Sequence, residues 1–149
     1  MMSTVLIIYA SMSGNTESIA DLIEEGIQGE GVTVEKKDVF DVDINILDKY
    51  HSIIFGSYTW GDGELPDEFL DFYDELTEID LSGKTFAVFG SGDRSYKIYC
   101  GAVDIFESAI LQQGGILVQE SLKIEDGPQD EEIEKCKLFG REFVRNIRS

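Results

Sequence analysis

A chain of 149 residues with 42% hydrophobic and 11% aromatic content can close one core, so it reads as a single globular domain over 1–149. Twelve Lys and Arg against 30 Asp and Glu leave a formal charge of −18, which excludes nucleic acid and anionic membrane surfaces, because both require cations opposite phosphate. A small ligand or a protein with a basic face remains as the partner.

No basic residue precedes the apolar run at 5–9, and the run is too short for a signal or membrane segment; it reads as a buried strand. Further apolar runs stand at 32–34, 53–57 and 86–90, with a weaker one at 116–118 continuing towards 122–124. Helical stripes lie between them: Ile19, Leu22, Ile23 and Ile27; Phe69, Phe72, Tyr73 and Leu76; Val103, Phe106, Ile110 and Leu111; and Ile133, Leu138, Phe143, Val144 and Ile147. Continuous apolar strands alternating with amphipathic helices predict a doubly wound α/β domain, written βαβαβαβαβα, with a parallel sheet covered on both faces. Cys100 and Cys136 fall in no metal-binding or redox spacing, and no metal site is expected. Reduced thiols and the absence of a targeting run point to the cytoplasm.

Ligands of open α/β sheets bind beyond the carboxyl ends of the strands, where strand order reverses. The loops after strands one, three and four are therefore the ones to read. Ser11-Met12-Ser13-Gly14-Asn15-Thr16 leads straight into the first helix. Its hydroxyls, its amide and Gly14 suit a loop that turns N–H groups around an anion at a helix N-terminus; an ordinary Ser/Asn helix cap is the plainer alternative. It contains no Lys or Arg, so it is not a nucleotide-triphosphate loop, and a phosphate there would be a monoester held by neutral donors.

Ser57-Tyr58-Thr59-Trp60-Gly61-Asp62-Gly63 follows strand three and holds the chain's one tryptophan between strand and glycines. Trp60 offers a stacking surface for a planar ligand, or simply covers the end of the core. Gly61 and Gly63 permit a peptide that can reorient beside such a ligand. Ser91-Gly92-Asp93-Arg94-Ser95-Tyr96-Lys97-Ile98-Tyr99-Cys100 follows strand four, with aromatics at Tyr96 and Tyr99. Two aromatics from neighbouring loops could sandwich one flat ring, with backbone groups of Asp93 and Cys100 at its polar edge. The Cys100 thiol itself reads as a small buried hydrophobe. Arg94 and Lys97 read as solvated surface charges.

Taken together, the loop at 11–16, Tyr58-Thr59-Trp60-Gly61-Asp62-Gly63-Glu64-Leu65-Pro66, Gly92-Asp93-Arg94-Ser95-Tyr96 and Cys100-Gly101-Ala102-Val103-Asp104 resemble the bacterial flavodoxins of the short-chain type, over essentially the whole chain. The resemblance implies a three-layer αβα sandwich with a five-stranded parallel sheet in the order 2-1-3-4-5; that order comes with the family, not from the apolar pattern. It also implies non-covalently bound FMN. Ser11, Ser13, Asn15 and Thr16, with the amides of Met12 and Gly14, would hold the phosphate. Trp60 and Tyr96 would flank the isoalloxazine, and the Gly61–Asp62 carbonyl would meet N5–H of the semiquinone. No insertion interrupts the fifth strand, which selects the short-chain group.

The implied activity is low-potential one-electron shuttling through the semiquinone/hydroquinone couple, without substrate turnover and with no catalytic residue. The partners would be redox proteins with basic docking faces, such as a reductase and an acceptor enzyme, served by a monomer. Asp62, Glu64, Asp67, Glu68, Asp71, Asp74, Glu75, Glu78 and Asp80, with no cation among them, flank the flavin edge where such a partner would dock. Two rivals are weaker. A nicotinamide-dependent quinone reductase would need a general acid or base, and the lone His51 opens strand three, away from the loops. A phospho-receiver domain would need acids at the ends of strands one and three, where Tyr9-Ala10-Ser11 and Gly56-Ser57 stand instead.

Overall fold

A computed structural model describes residues 4–11, 14–59, 64–92, 100–125 and 127–148. Strands β1 (Thr4–Ala10), β2 (Thr33–Asp38), β3 (Ser52–Tyr58) and β4 (Thr85–Gly92) join β5 (Ile116–Leu117) and β6 (Leu122–Glu125) in one parallel sheet. The order is β2-β1-β3-β4-β5, with β6 also paired to β4. Helices α1 (Asn15–Gln28), α2 (Asp67–Leu76), α3 (Gly101–Gln112) and α4 (Glu131–Arg148) cover it.

Strand alternation builds the two outer layers. Leu6, Ile8 and Ala10 of β1, with Ile53, Phe55, Phe86 and Val88, face Phe69, Phe72 and Phe106 of α2 and α3. Phe55 stacks on Phe106 at 5.1 Å between ring centres, and Phe69 meets Phe106 edge-on at 4.8 Å. Val5, Ile7 and Tyr9, with Ile54, Ala87 and Phe89, face Ile19, Ile23 and Ile27 of α1 and Cys136, Phe139 and Phe143 of α4. The sandwich is therefore wound on both sides of one sheet, as the apolar pattern predicts. Gly56 makes room on the second face, since a Cβ there would lie 2.0 Å from the Phe89 ring.

Four details differ from the sequence reading. The helix expected between β2 and β3 is replaced by two 3-10 turns, Val39–Asp41 and Ile44–Lys49. Asp38 and Asp43 each accept the N–H two residues on, at 2.9 Å, and such local bonds compete with α-helix formation. Lys84 Nζ pins the segment by donating to the carbonyls of Leu47 and Tyr50 at 2.9 and 2.8 Å. Second, β2 runs on through Glu35, Lys36 and Lys37, because an edge strand only partly buried needs no continuous apolar run.

Third, the fifth strand is in two pieces. Leu117 pairs with Phe86 and Leu122 with Phe89, so five steps on one side span three on the other. The two surplus residues form a bulge at the sheet edge. Fourth, two of the helical stripes are misdrawn: Leu111 is 58% exposed and Leu138 44%, while Cys136, Phe139 and Gly140 carry the buried face of α4.

Candidate functional site

The order 2-1-3 means that the chain leaves β1 for one neighbour and returns to the other, so strand order reverses between β1 and β3. In register there, Ala10 lies beside Ser57, Ser57 beside Gly90, and Tyr58 beside Ser91. The carboxyl ends of β1, β3 and β4 thus lie side by side at one crevice, and the described residues among those singled out in sequence lie around it.

At the end of β1, Gly14 is the residue before α1 and adopts φ 89°, ψ −7°, a left-handed conformation that suits glycine. Its own position supplies no side-chain cap. Ser11 does that work from three residues back: its Oγ accepts the N–H of Gly14 at 3.1 Å and of Glu17 at 3.3 Å. A hydroxyl accepts twice and donates once, so Ser11 keeps its own O–H for a third group. The first-turn N–H groups of Asn15 and Thr16 have no helical acceptor. The helix-cap alternative is thus met by Ser11, and the Asn15 and Thr16 N–H groups are left as donors for an anion. The Asn15 side chain lies against Gly127, where a Cβ would come 3.0 Å from Oδ1. Thr16 is buried, and its Oγ1 is 2.7 Å from Ser91 Oγ of β4.

At the end of β3, Ser57 is buried and its hydroxyl donates to the Tyr58 carbonyl at 2.7 Å. Tyr58 donates to both carboxylate oxygens of Glu68 on α2, at 2.8 Å each. Burial, then this bond and the Glu68 charge, raise the phenol's pKa well above its ordinary value. Thr59 Oγ1 accepts the N–H of Ala102 at 3.3 Å and so caps α3. At the end of β4, Gly92 lies under the start of α3; a Cβ there would meet Cys100 Sγ at 2.9 Å and Cys100 N at 3.0 Å. Cys100 is buried with φ 52°, an uncommon conformation for a residue with a side chain, and its thiol lies 3.9 Å from the Gly90 carbonyl. Met12, Ser13, Trp60, Gly61, Asp62, Gly63, Asp93, Tyr96 and Tyr99, with Arg94 and Lys97, lie outside the described residues.

Tyr9 and Glu17 were missed in sequence. Tyr9 Oη donates to Glu17 Oε2 at 2.9 Å, holding the carboxylate of the first helical turn beside the loop. The visible clue was an acid three residues after the turn glycine. Burial and the Glu17 bond raise the Tyr9 pKa from 10.0 to about 12. A folded-state value above the unfolded one favours folding below pH 10 and loses that contribution as pH climbs towards 12. Wild-type stability to urea should therefore decline across that window more steeply than that of Tyr9→Phe; parallel declines would remove Tyr9 as the cause.

The donor set fits a phosphate monoester: a helix start whose first two N–H groups have no helical acceptor, and the spare Ser11 hydroxyl, without a cation in the loop sequence. A family model described as Flavodoxin matches residues 7–140. The chain belongs to the flavodoxin family.

Membership gives its biochemical class, an electron carrier with FMN as cofactor, and the family's redox proteins as its partners. Among relatives, the chain is 50% identical to the probable flavodoxin 2 of Bacillus subtilis (strain 168) over 97% of its own length and 96% of that protein's. It is 42% identical to the flavodoxin of Maridesulfovibrio salexigens over 89% and 92% of the two chains. Oxidised flavodoxin 1 from Bacillus cereus superposes with a TM-score of 0.92 at 50% identity, covering 96% of this chain and 98% of that one. A short-chain flavodoxin associated with a bacterial microcompartment gives 0.91 at 33% identity, over 97% and 98%. The short-chain resemblance is thus borne out in family and in fold. No described helix is long and apolar enough to cross a membrane, and no metal-binding cluster occurs among the described residues.

Proposed function

We propose that the whole of 1–149 is one FMN-binding unit that passes single electrons between redox proteins without turning over a substrate of its own. The observation that carries this reading is the start of α1: neutral donors stand at a helix N-terminus where strand order reverses. FMN, when bound, supplies the redox chemistry. The chain's residues hold and tune it. Ser11, Ser13, Asn15 and Thr16, with the amides of Met12 and Gly14, take the phosphate. Trp60 and Tyr96 would flank the ring, with Tyr99 as a second aromatic of the same segment. The Gly61–Asp62 carbonyl would accept a hydrogen bond from a protonated ring nitrogen, Gly63 leaving that peptide free to reorient. Backbone groups of Asp93 and Cys100 meet the polar ring edge.

Ser57, Tyr58, Thr59 and Gly92 support this arrangement more than they touch the ligand, since their side chains or space are already taken up by neighbours. The hydroxyls and amides of the set hold charge rather than transfer protons, which favours a carrier over a quinone reductase. Surrounding carboxylates depress the potential: one at ~10 Å in an effective dielectric near ~20 opposes an added electron by about 1.7 kcal/mol.

Asp67, Asp71, Asp74 and Glu75 of α2 are exposed, with Glu64, Glu78 and Asp80 beside them, and form the docking face for a basic partner. Cys100 and Cys136 are not joined in a disulfide, which supports a reducing compartment, the cytoplasm. Stopped-flow reduction by a flavoprotein reductase tests the reading. Rates should fall about tenfold or more from ~0.02 to ~0.3 M salt, as screening shortens the reach of the acidic face. A flat profile would discard that face, and steady quinone turnover with NAD(P)H alone would favour the enzyme instead.

A further inference from the structure

The Thr16 and Ser91 hydroxyls are 2.7 Å apart across 75 residues of sequence, 1% and 3% exposed respectively. Thr16 sits on the first turn of α1, at the end that faces the crevice. Ser91 is held on both sides by the sheet, in register with Tyr58 of β3 and Ile124 of β6, so its hydroxyl projects from a rigid element. Beyond it comes Gly92, packed under Cys100 at the start of α3. The pair therefore ties the phosphate loop to the strand that leads into the ring-binding segment.

Each hydroxyl carries one proton, and only one of the two can occupy the shared bond. If Ser91 donates, Thr16 oxygen is the acceptor and its own proton is released for another group. We propose that Ser91 is a positioning residue of this kind: it fixes the Thr16 rotamer and, by donating to it, makes Thr16 a standing donor to a phosphate at the start of α1. This rests on the phosphate reading given above. A hydroxyl that already accepts a hydrogen bond is a better donor, because chains of such bonds polarise one another. An apolar pair of similar shape would fold about as well, so the buried hydroxyls serve recognition more than stability.

Apoproteins of the wild type, Ser91→Ala, Thr16→Val, the double variant and Thr16→Ser are titrated with FMN and with riboflavin, which has the ring but no phosphate. Ser91→Ala should lower the preference for FMN over riboflavin about five- to tenfold, with riboflavin affinity unmoved. Thr16→Ser should keep the preference, and Ser91→Ala should add nothing in the Thr16→Val background. Ser91→Cys keeps the shape with a weak donor, and should lose part of the preference even if the alanine variant packs poorly. Undiminished preference in Ser91→Ala, or equal loss of both ligands, overturns the role of Ser91 alone. A wild type that binds both flavins equally overturns the phosphate reading together with it.

Discussion

Gly14→Asp should weaken FMN binding at least about a hundredfold while leaving the apoprotein close to wild-type stability. Gly14 has φ 89°, and a Cβ there meets nothing within 4 Å, so the new side chain has room. Aspartate is among the residues that best tolerate this conformation. Its carboxylate would lie at the start of α1, accept the first-turn N–H groups and occupy the position of the phosphate charge. The helix gains a cap worth about 1 kcal/mol, which offsets the backbone strain of about 1–2 kcal/mol. The ligand, by contrast, meets a like charge. At ~4 Å and an effective dielectric near ~20 that repulsion is about 4 kcal/mol per charge pair, and a hundredfold loss needs only about 2.8. Gly14→Ala carries the strain without the charge and should stay within about tenfold of wild type. Titrating each apoprotein with FMN by fluorescence quenching measures this. Equal affinity for the aspartate and alanine variants would move the phosphate away from α1.

The second large effect concerns the layer that carries α1. A Cβ on Gly26 would lie 2.1 Å from the Lys137 carbonyl oxygen of α4, and one on Gly140 would lie 2.3 Å from the Ile23 carbonyl oxygen of α1. Both obstacles are helix backbone, which cannot rotate away. Alanine at either site must push the helices apart and open gaps among Ile19, Ile23, Phe139 and Phe143. We expect losses of about 3 kcal/mol or more, towards the upper end for overpacking, which in a chain of this size lowers Tm by about 6–12 °C. The double variant should lose less than the sum, since helices already displaced accommodate the second methyl more easily. Gly29→Ala is the control. It has φ −62° and its nearest contact would be 3.4 Å, so the change should be neutral or mildly stabilising. Thermal unfolding of the four variants reads this directly, and a Gly26→Ala protein as stable as wild type would contradict the close helix contact.

The same contrast explains what the sequence disclosed about the fold. Strands buried on both faces announce themselves: the run at 5–9 falls inside β1, and those at 53–57 and 86–90 inside β3 and β4. Edge elements do not, because their pattern is mixed. β2 hides behind Glu35, Lys36 and Lys37, and the fifth strand is broken by a bulge that spacing alone could not reveal. The helix expected between strands two and three rested on the βαβ alternation alone, and Asp38 and Asp43 bond the N–H groups two residues on to give 3-10 turns instead.

The site was legible at the level of loops, because glycine, hydroxyl and aromatic residues clustered after three strands that proved to be adjacent. Individual partners were not. The contacts of Thr16 with Ser91, of Tyr58 with Glu68 and of Thr59 with Ala102 join segments that only tertiary structure brings together. Ser11 shows the limit most clearly. Its composition suggested either a helix cap or an anion site, and its geometry allows both.

The most direct test of the account is a titration of the apoprotein with FMN followed by visible absorbance. Absorbance should saturate at one FMN per chain, leaving a yellow protein with a flavin spectrum displaced from that of the free cofactor. A protein that stays colourless through that titration would contradict it.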